Sequence, residues 1–245
     1  MHRHKARRRE STSSRIVTPI IKFILSVICR VDARALRLVP SSGPLIIIIN
    51  HINFLEVPLL FVYLKPRDVV GMIKRETWKN PVLGALANSW GAISIDRNGS
   101  DMSAMRDAID VLEHRGILIL APEGTRSVDG RLQQGHGGVV QLALRSGVPI
   151  MPVVHHGGQN FWRNLKSWRR TGFFIKVGPA FRLVPPVQGI SRSVRHDMTE
   201  CIMNRMSLLL PQHLRGAYPE PEKAIEAYRH LVQEIQPRSV FRRKP

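Results

Sequence analysis

Two short aliphatic runs constrain this chain most, Leu45–Ile49 (LIIII) and Ile117–Leu120 (ILIL). Apolar runs of this length, rich in isoleucine and bounded by turn formers, read as strands buried on both faces of a parallel sheet. Each is followed at once by polar residues. Asn50, His51 and, five positions on, Glu56 come after the first, and Ala121-Pro122-Glu123-Gly124-Thr125-Arg126-Ser127 follows the second. In open α/β sheets, groups just past the carboxyl ends of strands line the crevice where ligands bind. A histidine–carboxylate pair thus faces a Gly-Thr-Arg turn suited to an anion, which points to an enzyme acting on a phosphorylated alcohol.

The rest of the chain alternates strand with helix. An apolar helix is predicted over Phe54–Leu64, a strand over Val69–Ile73, a turn and helix over Lys79–Trp90, and a strand over Ala92–Ile95. Met102–Arg115 has the period of an amphipathic helix. Gly138–Ser146 reads as a helix stopped by Gly147, followed by strands at Pro149–Val154 and Phe173–Val177. Amphipathic helices are expected over Val194–Leu210 and Glu222–Ile235. Strands alternating with helices imply an α/β fold with a mainly parallel sheet flanked by helices.

Charge narrows the partners. Thirty-seven Lys and Arg against eighteen Asp and Glu give a formal charge of +19, which suits nucleic acid, a phospholipid surface or phosphorylated substrates. The basic residues gather at Arg3–Arg9, in the segment 162–170 around Trp162 and Trp168, and at Arg238–Lys244. Because basic clusters border apolar or tryptophan-bearing segments, an anionic membrane surface is expected rather than nucleic acid. Ile16–Val31 is apolar but contains Lys22 and falls short of the roughly twenty residues that span a bilayer. It reads as an interfacial helix or as a helix packed on the core. With Ala33-Arg34-Ala35 it also mimics a signal peptide, although Lys22 interrupts the apolar stretch. The two cysteines, Cys29 and Cys201, sit in apolar settings and read as small hydrophobes. No metal site is expected, and His155 and His156 lack clustered ligands of other types.

The chemistry of the site follows from residue types. A carboxylate on the Nδ1–H of His51 fixes its tautomer and leaves Nε2 free as a base for a hydroxyl proton. Gly124 lets backbone N–H groups approach an anion, Thr125 adds a hydroxyl and Arg126 a bidentate fork. Glu123 is expected to orient Arg126 or a substrate hydroxyl. Arg97, at the end of the third strand, is expected to meet the same phosphate from the other side, with Asp96 pairing with it or turning away. Val148–Val154 is expected to line an acyl channel. No G-x-S-x-G elbow is present, which weighs against a serine hydrolase.

These elements, in this order, resemble the glycerolipid acyltransferases, the 1-acylglycerol-3-phosphate acyltransferases and their relatives. The resemblance runs from about Leu45 to Val154, with a looser echo at Leu208–Tyr218. It implies His51 and Glu56 as catalytic, with Arg97, Glu123, Gly124, Thr125 and Arg126 binding the substrate phosphate. Where the family usually has aspartate this chain has Glu56, whose extra methylene displaces the carboxylate by roughly 1.5 Å. Ala121 stands where an aromatic residue is common. The implied reaction moves a fatty acyl group from acyl-CoA or acyl-carrier protein, as co-substrate, to a hydroxyl of lysophosphatidic acid or a related lysophospholipid. No other cofactor is implied. Glycerol 3-phosphate is an alternative acceptor, and a catalytically decayed basic membrane- or nucleic-acid-binding protein is the alternative of another class. The expected organisation is a basic N-terminus with interfacial helix over 1–36, an acyltransferase domain over 37–218, and a C-terminal helix and basic tail over 219–245. The expected location is the cytoplasmic face of a membrane, held peripherally or monotopically.

Overall fold

Leu45–Ile49 and Ile117–Leu120 form neighbouring parallel strands, with Leu45 opposite Ile117, at the middle of a nine-stranded sheet. The computed structural model from which this follows describes residues 12–96 and 101–235. In chain order the strands are β1 (Cys29–Asp32), β2 (Leu45–Ile49), β3 (Val69–Lys74), β4 (Ile93–Ile95) and β5 (Ile117–Leu120). They continue with β6 (Ile150–His156), β7 (Thr171–Val177), β8 (Phe181–Leu183) and β9 (Val232–Glu234). The helices are α1 (Thr12–Ile28), α2 (Glu56–Tyr63), α3 (Pro81–Ser89) and α4 (Met102–Glu113). After them come α5 (Gly138–Ser146), α6 (Phe161–Lys166), α7 (Arg192–Ser207) and α8 (Pro221–Ala227).

The sheet order is β1-β7-β6-β2-β5-β3-β4. Pairing is parallel from β4 through β3, β5 and β2 to β6, and again between β1 and β7. It is antiparallel between β6 and β7, and where β8 joins β6 and β9. The fold is a mostly parallel mixed sheet flanked by helices. Alternation along β2 explains why every residue of the run is apolar. Ile46 and Ile48 enter the core shared with α4, α5 and α7, whereas Leu45, Ile47 and Ile49 enter the opposite core with Phe61 and Trp90.

Local signals start and stop the helices. Asn80 accepts from the N–H groups of Val82 and Leu83, and Pro81 occupies the first turn of α3. Asp101 caps α4 through Ala104 N–H, and Gly147 ends α5 with φ at +62°.

Both ends of the chain depart from the sequence reading. The expected helix over Glu222–Ile235 stops at Ala227, and Val232–Glu234 is strand β9. The open edge of β8 offers backbone partners that outweigh the helical period of this segment: Val184 N–H donates to Leu231 O at 2.8 Å and Ile235 N–H to Ala180 O at 2.9 Å. The Arg205–Glu234 ion pair at 2.6 Å holds the strand from α7. At the other end the helix stops at Ile28, and Cys29–Asp32 pairs with β7 instead of continuing it. Helix α1 packs Leu25 against the cluster containing Leu59 and Val62, while Ile16, Ile20, Phe23, Ile24 and Val27 stay exposed. Among the described residues no helix is long and apolar enough to cross a membrane. The basic clusters at Arg3–Arg9 and Arg238–Lys244, and Arg97, lie outside the described residues.

Candidate active site

Where β2 ends, its neighbour β6 is still extended, and Asn50 joins the two. Its side-chain amide donates to His155 O and accepts from His155 N–H, both at 2.9 Å, so a side chain continues the sheet ladder beyond Ile49. That clamp sets the departure of the next residue, His51, from the rim of the sheet.

His51 is positioned by Glu56 at the first turn of α2. The two are brought together because the intervening loop folds around the carboxylate: Oε1 accepts Ile52 N–H at 2.6 Å and Asn53 N–H at 2.5 Å. The other oxygen, Oε2, lies 3.1 Å from His51 Nδ1. Glu56 is only 1 % exposed. Burial opposes its ionisation, but hydrogen bonds from the His155 and His51 rings outweigh burial and hold its pKa at about 2. An ionised carboxylate only accepts, so the proton of the neutral His51 ring sits on Nδ1, and Nε2 is left as a base.

The turn 121–127 is stitched to the same histidine. Ser127 N–H donates to His51 O at 2.7 Å, and His51 N–H donates to Glu123 Oε1 at 2.6 Å. The second oxygen of Glu123 accepts Gln133 N–H at 2.8 Å. Glu123 is thus committed to the backbone: its carboxyl group is buried and accepts from the N–H groups of His51 and Gln133, and among the described residues no hydrogen bond or ion pair joins it to Arg126. Burial pushes its pKa up to about 7 despite the two backbone donors, and the nearby Glu56 charge pushes the same way. Gly124 has φ at +68°, and a Cβ there would come within 2.9 Å of His136 Cδ2, so only glycine suits this corner.

Thr125 and Arg126 are exposed on a cavity of about 390 Å³ that also reaches His51, Lys74, Leu83 and Trp90. Arg126 has no ion-pair partner among the described residues. A second cavity of about 470 Å³ also borders His51 and is walled largely by apolar groups, among them Met105, Ala108, Leu120 and Leu142. His51, Val57 and Met72 border both cavities. The structure therefore brings His51, Glu56 and the Gly124–Arg126 turn to one rim. Asp96 pairs with Arg75 at 3.2 Å. Val148–Val154 lines neither of these two cavities; Val148 and Ile150–Val154 are buried in the sheet core. Among the described residues no group of three or more His, Cys, Asp or Glu side chains is arranged to hold a metal ion.

Sequence reasoning missed His155. Its Nε2 lies 3.3 Å from Glu56 Oε1 and 3.2 Å from Asn50 O. The available signal was that two aliphatic strands, adjacent and parallel, each run out into histidine, which sets both rings on one rim.

Glu123 gives this site a pH-dependent brace. Since its folded-state pKa is raised from 4.5 to about 7, its contribution to stability is fully present below the ordinary carboxylate range and is lost as pH rises through about 7. Glu123→Gln sets an amide NH₂ against one of the two backbone donors. Urea unfolding is expected to find the variant less stable, with the difference from wild type largest near about pH 5 and shrinking towards about pH 8. A difference that grows with pH over that range would contradict the assignment.

The chain matches the acyltransferase family model over residues 30–156, a stretch that takes in Asn50, both histidines, Glu56 and the 121–127 turn. It is 34% identical over 146 residues to the 1-acyl-sn-glycerol-3-phosphate acyltransferase of Limnanthes alba, covering 58% of this chain and 50% of that one. It is 30% identical over 191 residues to the human 1-acyl-sn-glycerol-3-phosphate acyltransferase alpha, covering 73% and 65%. Against the Pseudomonas aeruginosa 1-acyl-sn-glycerol-3-phosphate acyltransferase, identity is 25% over 197 residues, covering 78% and 75%. The chain spans about half the length of the plant relatives it matches. In fold it is similar to the crystal structure of the 1-acyl-sn-glycerophosphate acyltransferase PlsC from Thermotoga maritima, with a TM-score of 0.59, 21% identity and coverage of 80% and 77%. The domain that the model recognises makes up half of this chain and closes at His156, and the chain belongs to the acyltransferase family.

Proposed function

We propose that the chain transfers a fatty acyl group from a thioester donor, acyl-CoA or acyl-carrier protein, to the free hydroxyl of lysophosphatidic acid or a related lysophospholipid. The observation that carries this reading is the position of His51, whose ring is held by a buried carboxylate at the junction of two cavities. One of these reaches Thr125 and Arg126, a phosphate-gripping pair, and the other has largely apolar walls suited to an acyl chain. The relatives' names supply the acceptor: they act on 1-acyl-sn-glycerol 3-phosphate.

In the proposed reaction His51 Nε2 removes the acceptor's hydroxyl proton as the oxygen attacks the thioester carbonyl. Ionised Glu56 stabilises the imidazolium that forms. Collapse of the tetrahedral intermediate breaks the carbon–sulfur bond, and the imidazolium proton goes to the departing thiolate. The products are the oxygen ester and the free thiol. Arg126 and Thr125 hold the phosphate so that the hydroxyl faces Nε2, converting a bimolecular encounter into a positioned one. Arg97 is proposed as a second cation on the same phosphate.

The chain is further proposed to work on the cytoplasmic surface of an anionic membrane. Ile16, Ile20, Phe23, Ile24 and Val27 recur at helical spacing along the exposed side of α1. Exposed Trp162 and Trp168 belong to the basic segment 162–170, and Arg170 donates to Ser26 O and Cys29 O at the end of α1, both at 2.7 Å. Aromatic, apolar and cationic groups in this combination favour a headgroup interface.

Turnover of acyl-CoA with lysophosphatidic acid tests the chemistry. His51→Ala is expected to lower it by roughly 10²–10⁴-fold with the fold intact. Glu56→Gln should lose most of the rate, while Glu56→Asp keeps or raises it; near-normal turnover in His51→Ala ends the assignment. Arg126→Ala is expected to raise KM for the phosphorylated acceptor by roughly ten- to hundredfold and leave KM for the donor little changed. Equal KM for the acceptor in wild type and variant would remove the phosphate role. Phe23→Asp should release the protein from sedimenting vesicles that contain anionic lipid, and undiminished co-sedimentation would remove α1 from the membrane contact.

A further inference from the structure

His155 has no part in the proton transfer above, yet its ring rests on the same carboxylate. Strand β6 runs parallel beside β2 with Val153 opposite Ile49, so two residues later His155 stands at the level of the Asn50–His51 step. Its Nε2 faces Glu56 Oε1 at 3.3 Å and Asn50 O at 3.2 Å. Both neighbours are acceptors, so Nε2 carries the ring proton and donates it. The other ring nitrogen, Nδ1, is buried without a hydrogen-bond partner among the described residues, and the ring packs near Phe173 with centroids 6.0 Å apart. At 5 % exposure a phenylalanine would fill this space without an orphaned ring nitrogen, but would take the Nε2–H away from Asn50 O and Glu56 Oε1. A histidine with one orphaned nitrogen is a poor packing residue, which directs attention to what its bonded nitrogen does.

The four donors around Glu56 divide unequally. Oε1 accepts from Ile52 N–H and Asn53 N–H and shares with Asn50 O the His155 Nε2–H, at 3.3 and 3.2 Å, whereas among the described residues Oε2 faces His51 Nδ1 alone. The two backbone donors belong to the loop that carries His51 and move with it. His155 alone ties Oε1 to a separate, rigid element, strand β6, which the Asn50 amide also grips. The carboxylate is thus anchored to the sheet at one oxygen and presents the other to the base.

We propose that His155 is a positioning residue: its Nε2–H fixes Oε1 of Glu56 to β6, and so aims Oε2 at the imidazole of His51. The proposal rests on the acyl-transfer reading only for its kinetic consequences; the contact itself stands apart from it. Loss of the donor leaves the substrate cavities untouched, since His155 lines neither of the two described. The effect therefore falls on the chemical step.

The test compares His155→Phe and His155→Gln in the full chain, with kcat and KM measured for acyl-CoA and lysophosphatidic acid. His155→Phe is expected to lower kcat roughly ten- to hundredfold, with both KM values within about twofold of wild type. His155→Gln, which keeps an N–H donor, should recover most of that loss. In a Glu56→Ala background His155→Phe should change kcat by less than about twofold, because its effect passes through the carboxylate. Wild-type kcat in His155→Phe, a loss seen in KM alone, or an undiminished loss in Glu56→Ala would each overturn the proposal. A second readout needs no turnover. In ¹⁵N-histidine NMR spectra the His155 ring should be protonated at Nε2, with a resonance that vanishes in His155→Phe and shifts in Glu56→Gln. Absence of acyl transfer in wild type would refute the proposed function while leaving this spectrum to decide the contact; a His155 resonance indifferent to Glu56→Gln would overturn it.

Discussion

One buried, ionised carboxylate organises the rim of this sheet. Glu56 opens α2 at 1 % exposure, with two backbone N–H groups and two histidine rings turned towards its oxygens. A carboxylate taken out of water costs several kcal/mol unless its lone pairs are satisfied, while hydrogen bonds to a charged group recover about 1.5–3 kcal/mol each. The loop 51–55 therefore has little conformational choice. Its amides must converge on Glu56, and that convergence turns the His51 ring towards the cavities. The base is oriented as a consequence of solvating a buried charge.

A second carboxylate close by has the opposite fate. Glu123 has no histidine ring beside its carboxylate oxygens, and burial together with the charge of Glu56 lifts its pKa to about 7 against the donors of His51 and Gln133, whereas Glu56 is held at about 2. Environments that push two neighbouring acids apart assign them different duties. Glu56 keeps its charge across the neutral range and can stabilise an imidazolium. Glu123 titrates in that range and ties the His51 backbone to the 133 loop, which fixes the position of the Gly124–Arg126 turn against β2. Arg126 is exposed on the cavity beside His51 and has no ion-pair partner among the described residues.

The sequence made β2 and β5 legible because residues buried on both faces must all be apolar, a pattern that survives without knowledge of neighbours. His51 and Glu56 were legible because a loop leading into a helix returns a residue five positions on towards its start. What depended on partners remote in the chain was not legible. The role of Glu123 lies in the amides of His51 and Gln133, and that of His155 in the register between β2 and β6. The motif around Glu123 spells an anion site, but a spelling does not say which of its polar groups face inward. The helix expected over Glu222–Ile235 failed for a related reason: β8 needed an edge partner, and the helical spacing of the segment did not resist pairing. The apolar residues of Val148–Val154 spell a channel wall equally well, but the sheet core claims them instead.

The central claim is that ionised Glu56 fixes the tautomer of the base, and ¹⁵N NMR of the His51 ring in the intact, unliganded protein tests it directly. In the neutral ring the expected spectrum has the proton on Nδ1 and a bare Nε2, and exchange with the other tautomer appears once Glu56 is replaced by alanine. A neutral His51 protonated at Nε2 in the wild-type protein would contradict the account.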